Sequence, residues 1–310
     1  MNIGSLCTGY GGLDMALDGD TVWVSDIDKH AAKLLAHRFP TVPNLGDLTA
    51  VDWEAVEPVD IITAGYPCQP FSHAGKREGL NDERHIWPHI ANAIRVLRPR
   101  YAFLENVAGH LSMGFGDVLG DLAEAGYDAR WVCVRASDVG APHRRERVFI
   151  SATDAPRDPR RILNGDGLSP TDSTGQRRAE RWAEPAPRQR GQGASVGGPT
   201  LPADPDQPGR ERAEPAQRPD VPTWGDYEPA IHRWEHALGR TAPAPTAPNR
   251  AGNQRLNPAL VEWMMGLPEG WVTDVPGISR TGQLHLLGNG VVPQQAADAL
   301  AILTDQQVAA

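Results

Sequence analysis

The chain has 310 residues, with 30 Lys and Arg against 39 Asp and Glu, and a formal net charge of -9. That balance excludes indiscriminate polyanion binders, which carry a strong basic surplus, but leaves room for a local basic groove. Three widely spaced cysteines, Cys7, Cys68 and Cys133, exclude a disulfide framework or zinc clip; with no secretory signal and no run near the roughly 20 apolar residues of a membrane span, the expected location is cytoplasmic, without a membrane partner.

The first apolar run, residues 3–6, leads into SLCTGYGGLDMAL, where Gly9, Gly11 and Gly12 occupy a strand-to-helix turn. Glycines there let a ligand approach the backbone and expose amides at a helix start. The spacing is not the dinucleotide fingerprint GxGxxG, because position 14 is Asp. The second run, residues 21–24, is followed by Asp26 and Asp28, where an acid typically takes ribose hydroxyls. Asp28 also fits the N-cap of the helical pattern DKHAAKLLAHRF, so Asp26 is the better ligand candidate. Asp47, in LGDLTAVDW, reads either as a turn residue or as an acceptor for an adenine amino group.

The third run, residues 59–64, ends in AGYPCQPFS, with Cys68 in a loop stiffened by Pro67 and Pro70. A thiol nucleophile needs exposure and a lowered pKa, which a loop leaving a strand end can supply; the alternative is a small buried hydrophobe. A zinc-deaminase site needs a second cysteine three residues on, and Phe71 stands there. The helical pattern HIWPHIANAIRVL leads to a fourth run at 101–104 and then to Glu105. A carboxylate against low-dielectric walls holds a raised pKa and can move a proton. After FGDVLGDLAEAG come runs at 131–134 and 147–150. The second of these is introduced by PHRRERVFI, in which His143, Arg145 and Arg147 alternate on one face. That face is either a solvated edge or a binding surface.

Strand, helix, strand at this rhythm predicts an α/β fold: a doubly wound, mostly parallel sheet covered on both faces, with ligands at the carboxyl ends of its strands. From 154 to 255 the composition turns to Pro, Arg, Gly, Asp and Ser, too poor in apolar surface to offset its ordering entropy, and predicts a small, irregular second region. Within it, TWGDYEPAIHRWEHALGR sets Tyr227, Ile231, Trp234 and Leu238 at helical spacing. It reads as a short amphipathic helix that either contacts a ligand through Arg233 and Arg240 or covers the core. Folded character returns with LNPALVEWMMGLPEGW, and LGNGVVPQQAADALAIL puts a proline in the first turn of a helix over 293–303.

Taken together, CTGYGG, the acid Asp26, GDLT, PCQPFS, ENV, HRRER and GNGVVP follow one another in the order of the DNA (cytosine-5)-methyltransferases of bacteria and phages. The chain resembles that family over residues 1 to about 153 and 256 to 303. The resemblance implies a Rossmann-like, S-adenosylmethionine-dependent methyltransferase acting on double-stranded DNA as a monomer, with a cognate restriction endonuclease as a candidate partner and no metal. Cys68 would add covalently to carbon 6 of a flipped-out cytosine. Glu105 would hold the ring nitrogen and exocyclic amine, Arg147 would contact the cytosine carbonyl, and Arg145 would brace Glu105. The backbone of Cys7, Thr8, Gly9, Gly11 and Gly12 would hold the methionine part of the cofactor, and Asp26 with Ile27 the ribose. Asp47 with Leu48 would hold the adenine, with Pro67 alongside and Asn289 near the methionine carboxylate. The implied map is a catalytic and cofactor-binding domain at 1–153, a low-complexity region at 154–255 in the place of a target-recognition domain, and a completing segment at 256–310. Two departures stand out: Cys7 and Thr8 replace the family's usual Phe-Ala, and His143 replaces a glutamine.

Overall fold

The computed structural model describes residues 1–67, 86–154, 224–249 and 252–308, the last stretch with side chains to Thr304. Among them, six strands make one sheet: β1 (Asn2–Leu6), β2 (Asp20–Ser25), β3 (Ile61–Gly65), β4 (Tyr101–Val107), β5 (Tyr127–Arg135) and β6 (Glu146–Asp154), in the order β2-β1-β3-β4-β6-β5. The first four run parallel, and β6 runs antiparallel to both of its neighbours. From β1 the chain moves one way to make β2 and returns to the other side for β3. The order therefore reverses between β1 and β3, where open α/β sheets form a crevice at their carboxyl edge.

Three helices connect the strands: α1 (Lys29–Arg38), α2 (Trp87–Leu97) and α3 (Phe115–Glu124). Asp28 caps α1, its Oδ1 accepting from the amides of His30 at 2.8 Å and Ala31 at 2.9 Å. Ile62, Ala64, Ala102, Leu104, Val148 and Ile150 fill the core on the sheet face covered by α2 and α3. Their chain neighbours Ile61, Phe103 and Phe149 join Ile3 on the opposite face. That period of two, apolar on both sides, is what a doubly covered sheet requires.

The second face is covered by the end of the chain. After α4 (Glu228–Leu238) come a short hairpin of β7 (Thr246–Pro248) and β8 (Gln254–Leu256), then α5 (Pro258–Met264), α6 (Arg280–Asn289) and α7 (Pro293–Val308). Ala296, Ala299 and Leu303 of α7 pack on Ile3, Phe103 and Phe149. A third cluster joins Leu34 and Leu35 of α1 to Trp234, Trp263, Leu267 and Leu286.

All described residues belong to one compact unit, Met1–Ala155 with Pro222–Ala310. Composition sets the end of the irregular region at 255, but the fold takes in residues from 224 onward. Ile231 and Trp234 share one helix face and are buried in the third cluster, and the Trp234 indole N–H donates to the Trp263 carbonyl at 2.9 Å. Residues 155–223 lie outside the described ones. No helix among the described residues is long and apolar enough to cross a membrane.

Candidate active site

The carboxyl edge begins where β1 ends. Cys7 and Gly9 take left-handed backbone angles, at φ of 50° and 59°. The turn closes on itself: Cys7 N donates to Ser25 O at 2.8 Å, Gly11 N to Thr8 O at 2.9 Å, and the Thr8 hydroxyl to Ser5 O at 3.0 Å. Asp26 joins this turn to the next strand end, one oxygen accepting from Gly9 N and the other from Asp28 N, both at 2.8 Å. Burial pushes the Asp26 carboxyl upward, against the pull of those two amides. Ile27 beside it is 73% exposed. Among the described residues, no atom beyond the chain neighbours stands within 4 Å of where a side chain would begin at Gly9 or Gly46, so this edge is open among them.

Asp47 takes the turn-residue role, its Oδ1 accepting from the Thr49 amide at 3.0 Å and hydroxyl at 2.8 Å. Leu48 is buried in the core with Leu6 and Trp23. Asn289 ends α6, its Nδ2 3.2 Å from His285 Nε2, and that ring nitrogen lies 4.0 Å from Asp28 Oδ2. Asn289 therefore stands near this sheet edge, with His285 between it and Asp28. Pro67 is exposed at the last described position before Cys68, which lies outside the described residues.

Glu105, 6% exposed at the end of β4, forms an ion pair with Arg147, its Oε1 2.9 Å from Arg147 Nε. Burial pushes the Glu105 carboxyl upward, opposed by the charges of Arg147 and Arg145. Arg147 is the arginine in ion-pair contact with Glu105, while Arg145, whose charge also acts on Glu105, donates through Nη2 to the carbonyls of Gly288 at 3.0 Å and Gly290 at 2.5 Å. One expectation is corrected here: His143, Arg145 and Arg147 do not alternate along a strand, because Arg145 has a φ of 29° and β6 begins only at Glu146. The three nevertheless line one open cavity of about 400 Å³, together with Val261, Met264 and Leu287. Beside it, sharing His143, a cleft of about 460 Å³ is lined by Arg135, Arg144 and Arg233. Glu146, 3.2 Å from Arg135 and 3.5 Å from Arg144, offsets only part of that charge. The helix α4 thus covers the core with Trp234 and turns Arg233 toward this cleft.

Several contacts that hold the site escape a reading of the sequence. Asn106 Nδ2 donates to Tyr66 O at 3.3 Å, tying the exit of β3, one residue before Pro67, to the neighbour of Glu105. Tyr10 is buried, its hydroxyl donating to Val291 O at 2.7 Å, and its carbonyl accepts from the Trp271 indole at 2.9 Å. Gly12 must be glycine, since a Cβ would stand 2.3 Å from Val291 O. Glu262, also buried, accepts from the amides of Gly270 at 2.8 Å, Val272 at 2.6 Å and Thr273 at 3.0 Å, which shapes the loop that carries Trp271. An aromatic inside a glycine turn was the available signal for Tyr10. Gly12 and Asn106 fall within the glycine turn and the ENV motif, whereas nothing local marks Glu262.

A family model described as C-5 cytosine-specific DNA methylase matches residues 1–186. Among characterised relatives, the type II methyltransferase M.DsaV of Dactylococcopsis salina is 33% identical over 153 residues, covering 47% of this chain and 43% of that protein. M.HhaI of Haemophilus parahaemolyticus is also 33% identical over 153 residues, covering 47% and 46%. The chain thus spans about half the length of the relatives it matches. The fold is similar to that of the S. pombe Dnmt2 methyltransferase, with a TM-score of 0.58 at 17% identity over 99% of both chains. It is also similar to Entamoeba histolytica EhMeth, at a TM-score of 0.59 and 16% identity over 99% of this chain and 98% of that one. With the family model covering more than half of its length, and the acid, glycine turn and Glu105–Arg147 pair at one sheet edge, the chain belongs to the C-5 cytosine-specific DNA methylases.

Proposed function

We propose that the protein transfers a methyl group from S-adenosylmethionine to carbon 5 of a cytosine extruded from double-stranded DNA. The observation that carries this is the buried Glu105–Arg147 pair, 2.9 Å apart, whose arginine lines a cavity with Arg145 and whose glutamate is next in sequence to Asn106, bonded to the strand exit that leads to Cys68. A cytosine edge offers a ring nitrogen, an exocyclic amine and a carbonyl. Glu105 with its raised pKa would hold the first two, and an arginine the carbonyl. The Cys68 sulfur would bond to carbon 6, and the electron pair released to carbon 5 would take the methyl group. Loss of the carbon 5 proton then expels the thiolate and restores the ring. Of the two cysteines described, Cys7 is pushed to about 12 by burial and Cys133 is also raised, so neither is poised as the thiolate.

The residues present fit the cofactor. Asp26 supplies a partly buried carboxylate, and the space at Gly9 and Gly46 is open. Bound there, S-adenosylmethionine supplies an electrophilic methyl group. Asp26 would accept from ribose hydroxyls, and the free amides of the turn would face the methionine part, since those of Cys7, Gly9 and Gly11 are already bonded. The cleft of Arg135, Arg144 and Arg233 suits DNA phosphates flanking the extruded base. The enzyme would modify cytosines in one sequence context.

The test is transfer of labelled methyl from S-adenosylmethionine to unmethylated bacterial DNA, with bisulfite sequencing of the product. Protected cytosines in one context are expected from the wild type. Cys68→Ser should lose turnover while keeping cofactor affinity within about twofold. Methylation retained by that variant overturns the mechanism.

A further inference from the structure

Gln295 lies in the first turn of α7 with 0% of its surface exposed, on a helix whose neighbouring inward residues, Ala296, Ala299 and Leu303, are apolar. Its Nε2 donates to two backbone carbonyls, Val134 O at 2.7 Å and Arg145 O at 2.8 Å. Two carbonyl acceptors fix the amide's orientation, since the flipped form would set Oε1 against both. Oε1 itself is buried without a hydrogen-bond partner among the described residues. A buried amide with an unmet acceptor costs stability that a methionine of similar size would not. A purely packing role therefore does not account for it.

One of the two carbonyls it holds belongs to Arg145, a non-glycine residue just before β6 that adopts a left-handed backbone, at φ 29°. That conformation is costly for a residue with a Cβ and persists only when its surroundings impose it. Here they act at both ends of the residue. Gln295 grips the Arg145 carbonyl, and the carbonyls of Gly288 and Gly290 grip its guanidinium. Two residues on, Arg147 reaches Glu105 at 2.9 Å.

We infer that Gln295 is a positioning residue: it holds the left-handed turn at Arg145 and thereby sets the aim of Arg145 and Arg147, which line one cavity and the second of which pairs with Glu105. This rests on the proposed cytosine chemistry for its effect on rate, but not for its effect on geometry. A misplacement on the order of 1 Å costs up to roughly 100-fold in turnover. Gln295→Met, which keeps the volume and removes the donor, should lower kcat roughly 10- to 100-fold with the cofactor dissociation constant within about twofold of wild type. Because the amide acts through Arg145, adding Gln295→Met to Arg145→Ala should cost less than about twofold more. Unchanged kcat in Gln295→Met, or full additivity with Arg145→Ala, overturns the inference. Gln295→Leu serves if the methionine variant does not fold. Unfolding of both, seen by circular dichroism, overturns it as well, by making the amide a requirement of the fold. Nitrogen NMR of the guanidinium groups reads the geometry without turnover: Arg145 Nε–H exchange should quicken at least about tenfold in the variant, and an unaltered rate overturns the inference. A wild type that transfers no methyl, yet shows this change in its variant, refutes the proposed function and leaves the positioning role standing.

Discussion

Asp14 carries a carboxyl group that the fold has taken out of water beneath the glycine turn. Burial raises its pKa to about 6, only partly countered by hydrogen bonds from Ser5 and from the Thr63 hydroxyl at 2.6 Å. With the native value above the ordinary carboxylate value, the native state holds the proton more tightly than the unfolded chain. The stabilising contribution is fully present below about pH 4 and is lost as pH rises through about 6. Asp14→Asn stays neutral and keeps an acceptor for Thr63. Urea unfolding should show it more stable than wild type by roughly 1–3 kcal/mol at pH 7.5 and little different at pH 4. An equal shift at both pH values would assign the effect to packing. At this scale the sequence was partly legible. Glu105 could be placed because it ends an apolar strand. The choice between Arg145 and Arg147 as its partner could not, because alternation holds only where the backbone is extended, and at Arg145 it is left-handed.

Helical elements followed their apolar spacing closely, and α4 shows why one such pattern survives in a stretch of opposite composition. Ile231 and Trp234, three residues apart, present one face, and Gly239 at φ 67° ends the helix. Trp234 is fully buried, so Trp234→Ala should cost about 3–5 kcal/mol in chemical denaturation, through the cavity left and the hydrogen bond lost at Trp263 O. A cost below about 1 kcal/mol would mean that the helix merely rests on the surface. The hairpin β7–β8 was not legible. Its strands have three residues each, TAPAPTAP reads as loop, and exposed residues dominate it. Side chains outside its strands hold it: Arg280 of α6 donates to Leu256 O at 2.7 Å, and Asn257 Nδ2 closes the base of the hairpin on Ala244 O at 2.9 Å.

For the molecule as a whole, the two ends of the chain share one core. Ile3, Ile61, Phe103 and Phe149 from the first half meet Ala296, Ala299 and Leu303 from the last helix. The fragment 1–154 would leave that sheet face bare to water, an apolar patch of the kind that drives aggregation. It should show no cooperative thermal transition and should aggregate, whereas the full chain melts cooperatively. A cooperatively folding fragment would contradict this shared core and make residues 1–153 a domain in their own right.

The sequence by itself determined the alternation of strands and helices, the acids and glycines at the strand ends, and the order of motifs that marks the family. These are local properties: period, caps, turns and spacing along the chain. Only the tertiary structure decided that Arg147 pairs with Glu105, that Tyr10 and Trp271 lock the glycine turn to the C-terminal segment, and that Gln295 grips Arg145 across 150 residues of chain. Each of these joins partners distant in sequence through a backbone carbonyl or a buried charge. Every residue offers a carbonyl, so the residue types along the chain do not reveal which one a distant side chain will meet.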